Sequence, residues 1–336
     1  MLPLVYRNLK AHRIEDPLSD KLKGVYRHTW YKNQVFLRRM AELLRFFHAA
    51  GIETLILKGA PLALRYYRDP GLRPMVDFDV MVPSRQALAA IDLLRRHGWI
   101  RCEKWPETFH ESYISVGHAV GFRDREGSQC DLHWHLLPEC CRAASDEEFW
   151  NAALPVKIHD VTTLTLNASD HLLHVCAHGL RWDPLPPFRW VADAMAIINS
   201  EPRLDWNRLL AQAEKHRLVW PLREALFYLR EKFDAPVPDA VLHGMRNIPT
   251  SKIERVEYRY KTQNHECNPL GYLPIHWFNF MRLEDGGGSK YNPIAFAKYL
   301  QRLCGVNSVL ELVAYAVMRR ARRMWKDQAK VPIQAP

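Results

Sequence analysis

Apolar residues recur at helical spacing through residues 31–50, at Val35, Leu37, Met40, Leu43, Leu44 and Phe47. Gly51 follows where a helix-ending glycine belongs. A short apolar run rich in branched residues, Thr54-Leu55-Ile56-Leu57, reads as a buried strand. The chain then turns through Lys58-Gly59-Ala60-Pro61 into a helix reaching Tyr67, with Pro61 suited to its first turn. Arg68-Asp69-Pro70-Gly71 is turn chemistry. Acidic and apolar residues alternate through 76–82, a strand pattern that Pro83 ends, and Ser84 can cap a helix running to His97. Three further strands are expected over 99–102, 115–123 and 128–136, the last two joined by the hairpin signal Asp124-Arg125-Glu126-Gly127.

Beyond about Leu164 the period changes to that of helices, over 168–180, 188–199, 206–215 and 218–233. A proline-rich break at 183–187 separates the first two, and Gly286-Gly287-Gly288 precedes a last helical block over 293–326. No internal repeat is visible. The pattern predicts an α+β domain over 1–165, N-terminal helices included, followed by an α-helical domain over 166–336.

At 336 residues, 48% hydrophobic and 25% charged, the chain can bury a sizeable core and is not a disordered sequence. No run of about 18 apolar residues offers a spanning helix. The first residues, MLPLVYRNLKAHR, lack the apolar stretch and cleavage site of a secretory signal. Seven scattered cysteines without CxxC spacing fit reduced thiols better than a disulfide framework or structural zinc. A cytoplasmic protein is therefore expected. The net charge of +10 favours polyanionic partners without choosing among nucleotides, nucleic acid and acidic membranes.

The densest chemistry lies in Asp77-Phe78-Asp79. Positions i and i+2 share one face of a strand, so both carboxylates point the same way while Phe78 and Val80 point into a core. Neighbouring like charges need a cation to hold them together, and Mg²⁺ takes carboxylate and phosphate oxygens. An edge strand exposing both aspartates to water is the plainer alternative. A second acidic strand, Cys130-Asp131-Leu132-His133-Trp134-His135, puts Asp131, His133 and His135 on one side. If it lies beside the first, three carboxylates converge and can hold two metal ions about 3.5–4 Å apart, as in-line phosphoryl displacement requires. Asp131 could also act as general base. Gly59 allows close approach of backbone to a phosphate at a helix start, and Lys58 adds a point charge. Arg73 could clamp a phosphate or leaving group, or pair with Asp69.

Together, Leu57-Lys58-Gly59, residues 67–75 (YRDPGLRPM), residues 77–82 (DFDVMV) and Asp131-Leu132-His133-Trp134 resemble the uncharacterised nucleotidyltransferase family, a branch of the polymerase-β-like superfamily. The resemblance implies a small mixed β-sheet flanked by helices and Mg²⁺ held by Asp77, Asp79 and Asp131. It further implies transfer of a nucleoside monophosphate from an NTP, most simply ATP, to an acceptor. Lys58, Gly59, Arg73, His133 and His178 are then the expected nucleotide contacts. In the wider superfamily the phosphate turn is Gly-Ser or Gly-Gly close before the acidic pair. Here it is Gly59-Ala60, with a longer insert to Asp77.

Other features carry competing readings. Asp131, His133 and His135 could form a transition-metal trio. His171, His174 and His178 share a helix face, which either borders the cleft or is simply packed, and Asp193 could orient one of them. Ser169 and Asp170 read as a helix start, and Trp182, Trp190 and Trp206 as packing residues. The basic segment 319–326 could touch an anionic partner, either RNA or a membrane surface, or end a solvated helix. Two competitors remain beside the enzyme: a catalytically silent nucleotide- or partner-binding module of the same fold, and a nucleotidyltransferase acting on RNA ends. The acceptor, whether peptide, small molecule, sugar or RNA, leaves no motif.

Overall fold

The computed structural model describes residues 1–102, 109–142, 144–181, 188–264, 271–283 and 291–314. Helix α1 (Leu2–Ala11) precedes the long α2 (Ser19–Ala49). The buried positions of α2, among them Leu37, Met40, Leu44 and Phe47, repeat every three to four residues, and Gly51 takes the left-handed conformation (φ 69°) that ends it. Then come β1 (Leu55–Leu57), a short α3 (Gly59–Pro61) and β2 (Asp77–Met81). Further on are α4 (Ala87–Arg96), β3 (Ile100–Arg101), α5 (Glu111–Ile114), β4 (Ala119–Arg123) and β5 (Gln129–His133). The single-turn α6 (Glu147–Asn151) leads into the hairpin β6 (Leu154–Ile158) and β7 (Val161–Thr165). The remainder is helical: α7 (Ala168–Gly179), α8 (Phe188–Ser200), α9 (Trp206–Lys215), α10 (Val219–Phe233), α11 (Asp239–Asn247), α12 (Lys252–Lys261), α13 (Leu273–Leu283) and α14 (Pro293–Cys304).

The strands form one mixed sheet in the order β3-β4-β5-β2-β1-β7-β6. β2 runs parallel to β5 and β1 parallel to β7, while the other pairs are antiparallel. Period-2 alternation gives the sheet two different faces. Ile56, Phe78, Val80, Cys130 and Leu132 pack with α2 and α4 in one apolar cluster. Leu55, Leu57 and Met81 point the other way, into a second cluster that continues through α7, α8 and α10 as far as Met245 on α11. The acidic residues of β2 and β5 share this second face, the one against which the helices that follow the sheet pack.

Several elements depart from the sequence expectations. The strand expected from Ser115 begins at Ala119. Residues 111–117 instead form α5 and a turn, pinned by the Trp134 indole N–H, which donates to the carbonyls of Ile114 and Gly117. β5 ends at His133, because Asp146 accepts from the backbone N–H of Leu136 and bonds the His135 ring at 2.6 Å, pulling the chain off the sheet. The helix after Pro61 continues as a wide π-turn over Leu62–Tyr66. Ser84 opens a short 3₁₀ turn and caps nothing. The hairpin of β6 and β7 adds two strands that the pattern did not announce. The expectations for Trp182, the 183–187 break, the 286–288 glycines and the basic 319–326 segment lie outside the described residues.

Candidate functional site

Register brings the acidic residues together. On the parallel pair, Asp79 stands opposite Asp131 and Asp77 opposite Gln129, while antiparallel β1 sets Leu57 opposite Asp79. Lys58, the next residue, then reaches the same carboxylate: its Nζ donates to Asp79 Oδ1 at 2.7 Å. His133 Nε2 lies 3.3 Å from that same oxygen. Among the described residues, Asp79, Asp131 and His133 form a group whose ligand atoms all lie within 4.8 Å of one another. Asp77 flanks this group on the same strand face.

The charges are unevenly balanced. Burial would raise Asp79, but Lys58 and His133 hold its carboxyl well below the usual carboxylate range. Asp77 is pushed up to about 6 by burial and by the Asp79 charge, against a partial pull from Lys58. Burial and Asp79 also raise Asp131, with His133 and Lys58 opposing. Asp79 is thus held in its charged form, while Asp77 and Asp131 bind a proton more readily than free carboxyls.

Lys58 adopts φ 43° and ψ −114°, a strained conformation for a residue with a side chain. A Cβ on the following Gly59 would touch Met75 Sδ and Arg73 Nη1 at 3.4 and 3.5 Å. Arg73 itself is buried and engages Asp193 of α8 through Nε and Nη2 at 2.8 and 2.9 Å, while the Tyr67 hydroxyl donates to the same carboxylate at 2.8 Å. It does not pair with Asp69, which accepts from the Tyr26 hydroxyl and the Gly71 N–H. Asp193 is therefore committed to Arg73 and Tyr67 rather than to a histidine.

Helix α7 crosses above the cluster. It starts at Asn167, whose side chain accepts from the Asp170 N–H, so the cap lies two residues before the expected Ser169. His171 turns toward the Tyr66 hydroxyl (3.2 Å) and Thr165. His174 is fully buried with neither ring nitrogen hydrogen-bonded among the described residues, and burial and Lys58 hold it well below its ordinary pKa. His178 stacks edge-on to His174 and stays open to solvent, depressed mainly by the Lys58 charge. His135 lies off the site, so the expected trio of Asp131, His133 and His135 does not form.

Sequence reasoning missed His118, whose ring packs edge-on against His133 at 5.8 Å. The 124–127 turn fixes Ala119 opposite His133, and that register was the available signal for it. It also missed the ion network just beyond the C-terminal end of α7. There Glu139 accepts from Arg181 (2.7 Å) and Lys261, and Glu257 binds Lys261 and Arg282.

Two oxygen donors and one imidazole, with the buried Nδ1 of His133 and both nitrogens of His174 lacking partners, make a donor set that fits a divalent cation. The model for the family described as "Uncharacterised nucleotidyltransferase" matches residues 1–234, and the chain belongs to that family. It is a nucleotidyltransferase by family. No curated protein matches the sequence. Among solved structures, an antigenic nucleotidyltransferase-like protein from Paracoccidioides brasiliensis is similar at 16% identity and a TM-score of 0.40, covering 62% of this chain and 96% of its own. Among the described residues no helix is long and apolar enough to cross a membrane.

Proposed function

We propose that the protein transfers a nucleoside monophosphate from an NTP, most simply ATP, to an acceptor hydroxyl or phosphate and releases pyrophosphate, with Mg²⁺ or a similar divalent cation at Asp77, Asp79 and Asp131. The observation that carries this reading is the register of β2 on β5, which places Asp79 beside Asp131 in a cleft walled by α7. A bound cation would screen the triphosphate and lower the pKa of the attacking hydroxyl.

The chain's own groups supply the rest. In the reaction an acceptor oxygen bonds to the α-phosphorus while the bond to the bridging oxygen of the β-phosphate breaks. The acceptor proton passes to Asp131, which stands beside Asp79 in register on the neighbouring strand. Lys58, whose side chain is only one-fifth exposed and now pairs with Asp79, would offer its ammonium to the triphosphate beside Gly59. His133 and the solvent-facing His178 line the nucleotide side. Arg73 contributes by fixing the chain between Gly59 and β2 against α8, with Nη1 directed at Gly59. Catalysis of this kind is positioning and charge neutralisation.

Incubation with α-labelled ATP, Mg²⁺ and panels of peptide, sugar, metabolite and RNA acceptors tests the reading by intact mass and label transfer. The double variant Asp77→Ala/Asp79→Ala is expected to lose at least about a thousandfold in rate. Retained transfer would refute the assignment of these carboxylates.

One observation favours a second reading. Lys58 already neutralises Asp79 at 2.7 Å, as an internal cation would in a silent module that binds nucleotide without metal. Nucleotide binding indifferent to Mg²⁺, with no turnover on any acceptor, would select that alternative.

A further inference from the structure

Three donors, rather than the three carboxylates, form the tight group at the centre of the cleft. Asp79 and Asp131 come from adjacent strands in register, and His133 follows Asp131 by two residues on the same face. Asp77 is the carboxylate left out of this group. The imidazole is not there to pair with a neighbouring acid alone. Nε2 shares Asp79 Oδ1 with the Lys58 ammonium, so one oxygen has a cation on one side and a ring nitrogen on the other. The 3.3 Å between Nε2 and Oδ1 is close to the edge that two adjacent ligands make around one ion, about 3 Å for bonds of about 2.1 Å.

A second, independent observation lies above the strand pair. His174 on α7 is wholly buried, and neither ring nitrogen has a hydrogen-bond partner among the described residues. His133 Nδ1 is likewise buried without a partner. A buried polar group without a partner is destabilising, so the unpartnered His133 Nδ1 inside the acidic group and the unpartnered His174 ring on α7 mark a place built for a polar occupant.

We infer that His133 Nε2 is a direct ligand of the first divalent cation, and that the site therefore selects Mn²⁺ or a later first-row ion over Mg²⁺. The inference rests on the metal-dependent reading above and names the ion for it. Magnesium prefers an all-oxygen shell and keeps its waters, whereas affinity for a site containing imidazole rises from manganese along the first row. Lys58 holds the cation position while the site is free of metal. Its partly exposed stem lets it withdraw to the cleft when an ion arrives.

Mn²⁺ titration of the full chain, read by electron paramagnetic resonance, tests this without any turnover. The wild type is expected to bind Mn²⁺ at least about tenfold more tightly than Mg²⁺ and to show electron-spin-echo modulation from a directly bound ¹⁴N. His133→Gln should lose the modulation and narrow the preference to within about threefold, while His243→Gln, on the exposed side of α11, keeps both. The wild-type spectrum decides even if a variant misfolds. Mn²⁺ bound in an Asp131-dependent way but without ¹⁴N coupling would overturn the inference and leave the metal-dependent transferase standing. Binding of neither ion to the wild type would overturn both.

Discussion

Lys58 and Asp79 concentrate the site's electrostatics in one 2.7 Å contact, and Asp77 bears the consequence. With Asp79 ionised beside it, Asp77 keeps its proton to about pH 6 in the folded chain but only to 3.8 when unfolded. Between these values the folded state holds more protons than the unfolded one, so this residue's contribution to stability is present below pH 4 and is lost as pH rises through 6. Asp77→Asn is accordingly expected to stabilise the metal-free protein by roughly 1–3 kcal/mol at pH 8 and to change little at pH 4, measured by urea unfolding. Adding Mn²⁺ or Mg²⁺ should shrink that gain, because a cation removes the penalty on the charged form.

The Asp77/Asp79 pair and Asp131 were legible in the sequence because period-2 alternation is local. The partnership of Lys58 with Asp79 was not, since it depends on the antiparallel register of β1 and β2 across 21 residues. His118 was hidden for the same reason, and His135 was misplaced because Asp146 draws it off the strand line.

Between elements, the buried Arg73–Asp193 pair does the joining. The guanidinium precedes β2, the carboxylate sits on α8, and the Tyr67 hydroxyl closes the group, so the loop that delivers the acidic strand is locked to the wall of the cleft. The sequence offered Arg73 as a phosphate clamp or as a partner of Asp69, because its actual partner lies 120 residues away. Removing one member of a buried pair leaves the other charge uncompensated. Asp193→Ala should cost about 3–5 kcal/mol in denaturant unfolding, and Arg73→Met with Asp193→Leu together markedly less than the two single costs summed. A single-variant cost below about 1 kcal/mol would show that the loop is held by other means.

Long amphipathic helices such as α2, α8 and α10 were readable from spacing. The hairpin of β6 and β7 was not, because Thr162, Thr163 and Thr165 lend it a polar look although Thr163 and Thr165 are buried. Thr163 donates to the Thr54 carbonyl and Thr165 to that of Ile56, so their hydroxyls are satisfied by the neighbouring strand rather than by water.

Across the whole molecule, the apolar cluster that begins on Leu55 and Leu57 runs without interruption to Met245. The sheet and the helices after it thus share a core. Unfolding followed by tryptophan fluorescence, with Trp134 under the sheet and Trp190 on α8, should coincide with unfolding followed by far-UV circular dichroism. Two separated transitions would mean that the helical part is stable on its own.

That shared core places α7 and its histidines over the acidic strands, and the function proposed for the chain needs a cleft of this kind to hold nucleotide and cation together. Calorimetric titration with α,β-methylene ATP, an analogue that cannot release pyrophosphate, tests it most directly. Binding should appear only with Mg²⁺ or Mn²⁺ present and vanish in Asp79→Asn, whose fold is checked by circular dichroism. Equal affinity with and without divalent cation, unchanged by Asp79→Asn, would contradict the account.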